Sequence, residues 1–381
     1  MSPKDHKMTI LETIDAVGPE FAEQAAANDT GDAFARSNFE TIRSHKMFSA
    51  MVPEELGGGG VSHSEMCAAI RKLATYCGVT ALTYSMHSHL IAAAVFNYRN
   101  DKPGKPLLEK VAGGELMLIS TGAGDWLSSN GEMTKVDGGF KLNARKNFAS
   151  GAVMGDVMVT SSTYNDPLEG WQVLHFPVSM SADGVSVLDN WQVMGMRATG
   201  SNSIVLKDVF VPEEAVVLRR PKGEYHPVWN TILNVAMPLI MSAYMGVADQ
   251  AASLARKFAH GKEYDGQLPY LLGEMENALT TAEIAWESMV AKANNGNFEA
   301  NLETTNETLK RKTIVANAVM EVTHKALEST SGAGYHRALG MERLLRESLA
   351  GQYHPLQEKR QHHFSGRIAM GLDPVEVLAQ S

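Results

Sequence analysis

The sequence predicts an α+β multi-domain chain: an N-terminal helical domain over residues 1–115, a central antiparallel β domain over 116–222 and a C-terminal four-helix-type bundle over 223–381. Three observations predict it. Before the centre, apolar residues recur at helical spacing, as at Ile10, Leu11, Ile14, Val17 and Phe21. In the centre the texture switches to short alternating runs, two of them joined by the hairpin pair Asp137-Gly138. After Trp229 three long periodic stretches follow, which pack naturally as a bundle.

Composition narrows the class. Of 381 residues, 44% are apolar and 20% charged, ordinary values for a globular chain with a sizeable core. A net charge of −9 and a pI of about 5.8 argue against a nucleic-acid groove and leave room for a local phosphate pocket. Cys67 and Cys77 form neither a zinc nor a disulfide framework, so two buried thiols in a reducing compartment are expected. Met1 to Lys7 lead into an amphipathic, acid-containing segment, which is no signal peptide, and the chain is placed in the cytoplasm. The most apolar stretch, 232–248, contains Asn234 and Pro238 and reads as a buried core helix rather than a membrane span.

Taken in order, residues 8–48 read as two helices separated by the turn signal Asn28-Asp29-Thr30-Gly31-Asp32. Gly57 to Gly60 cannot hold a helix, and without a lysine or a strand–helix context they make no phosphate loop. Ser62 or Ser64 caps a helical run that reaches Tyr98. His87 and His89 lie on that run two residues apart and diverge, so one buried and one half-exposed imidazole are expected rather than a metal pair. A short helix follows over 107–112. Strands are expected at 116–120, 131–136, 139–144, 156–162, 171–177, 185–188 and 202–211, and helices at 232–258, 274–294, 303–329 and 341–349. Gln361-His362-His363 reads as a solvated patch.

Two segments of the centre stand out: Lys146-Asn147-Phe148-Ala149-Ser150-Gly151-Ala152, and Trp191 through Met196-Arg197-Ala198-Thr199-Gly200-Ser201. Each sets small hydroxyls, glycines and one aromatic at the end of a strand. A planar group could lie on such a surface and receive hydrogen bonds from short donors.

The order of blocks and these segments together resemble the acyl-CoA dehydrogenase superfamily of flavoproteins over roughly residues 15–365. Met51-Val52-Pro53-Glu54-Glu55-Leu56-Gly57-Gly58 resembles an early loop of that family, and Glu342-Arg343-Leu344-Leu345-Arg346-Glu347 resembles its E-R-x-x-R-D helix. Leu118 to Asp125 stands where the family has a loop containing Glu-Pro, a pair this chain lacks. The resemblance implies a flavin, FAD or FMN, between the β domain and the bundle. Phe148 would pack on its ring and Ser150 would bond near N5 or C4a. Ser120 and Thr121 would meet the pyrimidine edge, and Arg197 and Thr199 belong to the same cofactor surface, with a structural Arg197 as the competing reading. Gly332 and Gly334 would approach a flavin diphosphate, in a neighbouring subunit of a homotetramer.

Two branches of that superfamily differ in one residue type. A dehydrogenase removes the α-proton of an acyl thioester with a desolvated carboxylate. Neither of the family's two glutamate positions carries a carboxylate here: one region reads Tyr353-His354-Pro355 and the other Asn230 to Val235. The Trp191–Ser201 and Lys146–Ala152 segments, and His354 after Arg346, are similar to the branch of flavin-dependent monooxygenases. In those enzymes a separate reductase supplies reduced flavin, which reacts with O2, and the catalytic pair would be His354 and Ser150 acting on a small organic substrate. His354 would serve as a group titrating near neutrality; read alone, it is a helix C-terminal imidazole satisfying free carbonyls. The alternatives are an acyl-CoA dehydrogenase with Glu358, His354 or another base, and a flavin-fold binding protein without turnover.

Overall fold

The computed structural model describes residues 8–122, 126–262 and 264–375. The first helical block holds α1 (Ile10–Thr30), α2 (Arg36–Ser44), α3 (His63–Tyr76), α4 (Gly78–Arg99) and α5 (Lys105–Gly114). Reciprocal capping boxes start two of them: Thr9 with Glu12 at α1, and Ser62 with Glu65 at α3. The single helix expected through Tyr98 is broken at Cys77, whose backbone is extended at φ −151° and ψ 103°. The cause lies far away in sequence. A Cβ on Gly78 would stand 2.4 Å from a Glu347 carboxylate oxygen and 2.9 Å from a Val247 methyl, so the chain must bend where those groups arrive.

The β domain contains β1 (Leu118–Ser120), β2 (Glu132–Val136), β3 (Gly139–Lys146), β4 (Val157–Asp166), β5 (Gly170–Ser179), β6 (Val185–Val187), β7 (Ile204–Pro212) and β8 (Leu218–Pro221). Their order is β6-β7-β3-β2-β4-β5-β8, with β1 beside β4. The sheet is antiparallel, as expected, except at β4, which runs parallel to both β1 and β2, so the sheet is mixed. β8 was not foreseen. Its Leu218-Arg219-Arg220-Pro221 lacks alternation in the sequence, yet it pairs with β5 and buries Arg220, whose Nε–H bonds His175 Nε2 at 3.0 Å.

The second helical block holds α6 (Val228–Ala259), α7 (Leu268–Ala293), α8 (Leu302–Tyr335), α9 (Met341–Ser348) and α10 (Glu358–Ala369). Long apolar α6 is the axis of the molecule and packs on α3, α4, α7, α8 and α9. By length and hydropathy both α4 and α6 would suffice to cross a membrane, but here 83% and 94% of their most apolar windows are covered by the rest of the protein. α8 runs past its expected stop through a kink at Ser331 (φ 51°, ψ −147°). α10 absorbs the stretch read as a solvated patch. Gln361 turns inward and its side-chain amide donates to Ser365 Oγ at 2.7 Å, while His362 and His363 face out.

The two helical blocks meet most tightly where α3 crosses α6. A Cβ at Gly246 would lie 2.1 Å from the Arg71 carbonyl oxygen and 2.5 Å from Ala74 Cβ. Backbone cannot yield there as a side-chain tip can. Gly246→Ala is therefore expected to lower stability by about 2 kcal/mol through overpacking, read as a drop in urea midpoint at unchanged slope.

Candidate active site

β3 ends at Lys146, whose buried ammonium donates to the Asn130 and Ser161 carbonyls and ties this corner to β4. Past that anchor the backbone turns through Phe148, a non-glycine residue held at φ 58°. The turn lifts the Phe148 ring out, 62% exposed and edge-on to Trp191 with centroids 6.1 Å apart. A non-glycine residue held in that region carries backbone strain of the kind that clusters at functional sites.

The second segment is stapled to the first. Gly151 N–H donates to Thr199 O at 2.8 Å and Ala149 N–H to Asn202 O at 3.3 Å. Asn202 Oδ1 accepts the N–H groups of Asn190 and Trp191 at 3.0 and 2.9 Å. Trp191 Nε1–H then donates to Met196 O at 3.2 Å, closing the segment on itself. Three hydroxyls run along the join, with Ser150–Ser201 and Ser201–Thr199 both at 2.8 Å. The chain ends where Thr199 Oγ1–H donates to Met196 O, also at 2.8 Å.

Parallel pairing sets Ser120 of β1 opposite Val159 of β4, which brings Thr121 Oγ1 to 2.7 Å from Thr160 Oγ1. Ser120 Oγ accepts the Gly122 N–H at 3.4 Å. Ala123, Gly124 and Asp125 of this motif lie outside the described residues.

α4 connects the β surface to the bundle. His87, buried, accepts the Leu118 N–H at Nδ1 (2.9 Å), so its proton sits on Nε2 and is donated to Phe48 O (2.8 Å). It is fully bonded as a neutral ring, and burial pushes its pKa down to about 4. The sequence left one of the two α4 imidazoles half-exposed; both are buried, because α4 is covered on nearly every side. His89 donates Nδ1–H to Ser85 O at 3.3 Å, and its Nε2 lone pair makes no bond among the described residues. Its pKa is likewise pushed down to about 4 by burial.

His354 sits on the bundle side. Its Nε2 lies 2.7 Å from Tyr244 Oη. Tyr244 is fully buried, has no other bonded partner among the described residues and is kept protonated by burial, so the phenol donates and the imidazole proton stays on Nδ1. Burial, then the Lys312 ammonium, then His89 push the His354 pKa down to about 3. The ring is thus neutral rather than poised near pH 7. It does not serve the free carbonyls of its loop either. Buried Lys312 does that, donating to His354 O at 2.9 Å and Leu356 O at 3.2 Å, with its own pKa pushed down to about 8 by burial.

Other expected site residues are placed differently. Arg197 spends its guanidinium on Val193 O (3.0 Å) and Asp29 O (3.2 Å), joining the β domain to the end of α1. Gly332 and Gly334 lie at the distal end of α8, roughly 30 Å along the helix from Lys312. Glu358 opens α10 and pairs with Lys359 at 3.4 Å and His362 at 3.9 Å. Glu347 is 3% exposed, with one carboxylate oxygen unpartnered among the described residues and a pKa raised by burial to about 7. Ser201, Tyr244 and Lys312 were not foreseen as site residues. Ser201 lay inside a quoted motif, but nothing local marks Tyr244 or Lys312 in long periodic helices.

The exposed Phe148 ring beside a rank of hydroxyls fits a planar, polar-edged heterocycle. The family described as "Acyl-CoA dehydrogenase, N-terminal domain" matches residues 3–115, and "Acyl-CoA dehydrogenase, C-terminal domain" matches 227–353. The short-chain-specific acyl-CoA dehydrogenase of Clostridium acetobutylicum is 24% identical, covering 92% of this chain and 95% of that protein. Among solved structures, a nitrososynthase from Micromonospora carbonacea var. africana superposes with a TM-score of 0.88 at 21% identity, covering 98% of both chains. A dibenzothiophene monooxygenase, TdsC from Paenibacillus sp. A11-2, superposes at 0.83 and 16% identity, covering 95% of this chain and 97% of that one. The chain belongs to the acyl-CoA dehydrogenase superfamily of flavin-dependent oxidoreductases.

Four imidazoles, His87, His89, His175 and His354, are held neutral with pKa values of about 4, 4, 3 and 3. The unfolded chain protonates them near pH 6.5, so the stability they carry is present above that pH and is lost as pH falls toward 4. For His87 alone the loss is on the order of 3 kcal/mol. Thermal unfolding is expected to show a steep fall in Tm between pH 6.5 and 4; a flat Tm would contradict these protonation states.

Proposed function

We propose that this protein is the oxygenase component of a two-component flavin-dependent monooxygenase. It would take flavin already reduced by a separate cytoplasmic reductase and use O2 on a small organic substrate. The observation that carries this reading is the neutral His354, held by Tyr244, in a stretch where the family resemblance would set a dehydrogenase's glutamate. Bound flavin would supply the reaction with O2. Phe148 would support the ring, Ser120 and Thr121 would meet its pyrimidine edge, and Ser150 with Thr199 behind it would face N5. His354 would offer Nδ1–H as a donor, and His89 would offer Nε2 as an acceptor.

FMN is favoured as the flavin: TdsC has been solved with FMN and indole. Gly332 and Gly334 would then touch flavin only across a subunit boundary of a homotetramer. Exposed Ile284, Ile314 and Tyr335 on the bundle support such an assembly.

Desaturation of an acyl thioester is the second reading, supported by the Clostridium relative. It needs a base, and the two carboxylates nearest in sequence to His354 serve poorly. Glu347 is sealed in the interior and Glu358 is solvated among Lys359 and His362.

The test uses the protein loaded with flavin. Anaerobic addition of acyl-CoA thioesters is expected to leave the oxidised flavin spectrum unchanged; bleaching would establish desaturation instead. Under O2 with reduced FMN, His354→Ala and Ser150→Ala are each expected to speed H2O2 release about 10-fold, the effect of losing one hydrogen bond. Release unchanged in both variants would remove these two residues from the oxygen chemistry.

A further inference from the structure

We propose that the Thr199–Ser201–Ser150 chain makes the site selective for reduced over oxidised flavin, by fixing Ser150 as a hydrogen-bond acceptor. This rests on the placement of Ser150 beside flavin N5 proposed above.

Each hydroxyl has one proton to donate. Thr199 Oγ1 lies 2.8 Å from Met196 O, and a carbonyl oxygen can only accept, so the Thr199 proton is committed there. The contact of 2.8 Å between Thr199 and Ser201 must then be filled by the Ser201 proton. The contact of 2.8 Å between Ser201 and Ser150 must in turn be filled by the Ser150 proton. Ser150 is left with lone pairs and nothing to donate. Running the chain the other way would press a Thr199 lone pair against the Met196 oxygen with no proton between them. Met196 O also takes Trp191 Nε1–H at 3.2 Å and Thr199 N–H at 3.3 Å, both longer than the hydroxyl bond. All three side chains are buried, so water does not reorient the chain.

Reduced flavin carries a proton on N5, and oxidised flavin carries a lone pair there. An acceptor hydroxyl pairs with the first and opposes the second. The site therefore retains flavin that arrives reduced and lets it go once oxidised, without any change in fold. Thr199 and Ser201 act as positioning residues: they touch no reacting atom and set which way Ser150 faces.

The test is the ratio of dissociation constants for oxidised and reduced FMN, measured by equilibrium dialysis in air and anaerobically. The wild-type protein is expected to bind reduced FMN at least about 10-fold more tightly, the scale of one hydrogen bond gained or opposed. Thr199→Val removes the terminal acceptor and frees the Ser201 proton to turn to Ser150. Ser201→Ala frees the Ser150 proton directly. Both are expected to bring the ratio down about 10-fold by tightening oxidised FMN, whereas Thr199→Ser keeps the hydroxyl and the ratio. Unchanged ratios in folded Thr199→Val and Ser201→Ala, or a wild-type ratio near one, would overturn the selectivity while leaving a flavin site standing. Failure of both forms to bind would overturn the flavin placement and this proposal together.

Discussion

One carbonyl oxygen organises the Phe148–Ser150 face of the β domain. Met196 O collects the Trp191 indole N–H, the Thr199 amide and the Thr199 hydroxyl. The indole bond folds the 191–196 segment back and sets the ring against which Phe148 stands. The hydroxyl bond starts the relay that ends at Ser150. Met196 itself takes a left-handed backbone at φ 55° to turn its carbonyl inward. Its neighbour Gly195 is pressed to 2.2 Å, at the position of a Cβ, from the backbone oxygen of Arg346, so the turn is seated directly on α9. The β surface and the bundle therefore share one rigid joint. Arg346 reinforces it from below by donating to Met194 O at 2.7 Å and by gripping both oxygens of the Asp29 carboxylate on α1.

The protonation of the buried imidazoles follows from desolvation. His354 would titrate near neutrality in water, and so would His87 and His89 on α4. Packed into the interior they are held neutral, His87 with both ring nitrogens committed to protein partners and His89 and His354 with one each. For His89 and His354 that leaves one bonding group each, an acceptor on one and a donor on the other. Lys312 adds a buried positive charge behind His354 and pins the two carbonyls of its loop, so the ring is both oriented and kept from protonating.

Much of the fold was legible. The two periodicities located most helices and strands, and the turn pair Asp137-Gly138 placed the β2–β3 hairpin. The failures share a cause. The break at Cys77, the parallel register of β4 and the strand at Leu218–Pro221 are each imposed by groups distant in sequence: Glu347 and Val247 for the first, β1 and β2 for the second, β5 for the third. The same division holds at the site. Phe148, Ser150, Thr199 and His354 lay in motifs with recognisable spacing. Their partners did not, because Tyr244 and Lys312 reach His354 from helices whose own patterns only report burial. The pKa of His354 was misjudged for the same reason, since it depends on neighbours that no local window contains.

The account stands or falls on whether oxygen is held at this site before peroxide is lost. A single turnover of protein loaded with reduced FMN, mixed with limiting O2, measures this directly when O2 uptake and H2O2 appearance are followed together. The account predicts that O2 disappears first and H2O2 lags by about 10-fold in time or more, a barrier difference of about 1.4 kcal/mol. Simultaneous O2 loss and H2O2 appearance, at the rate of free reduced FMN, would contradict it.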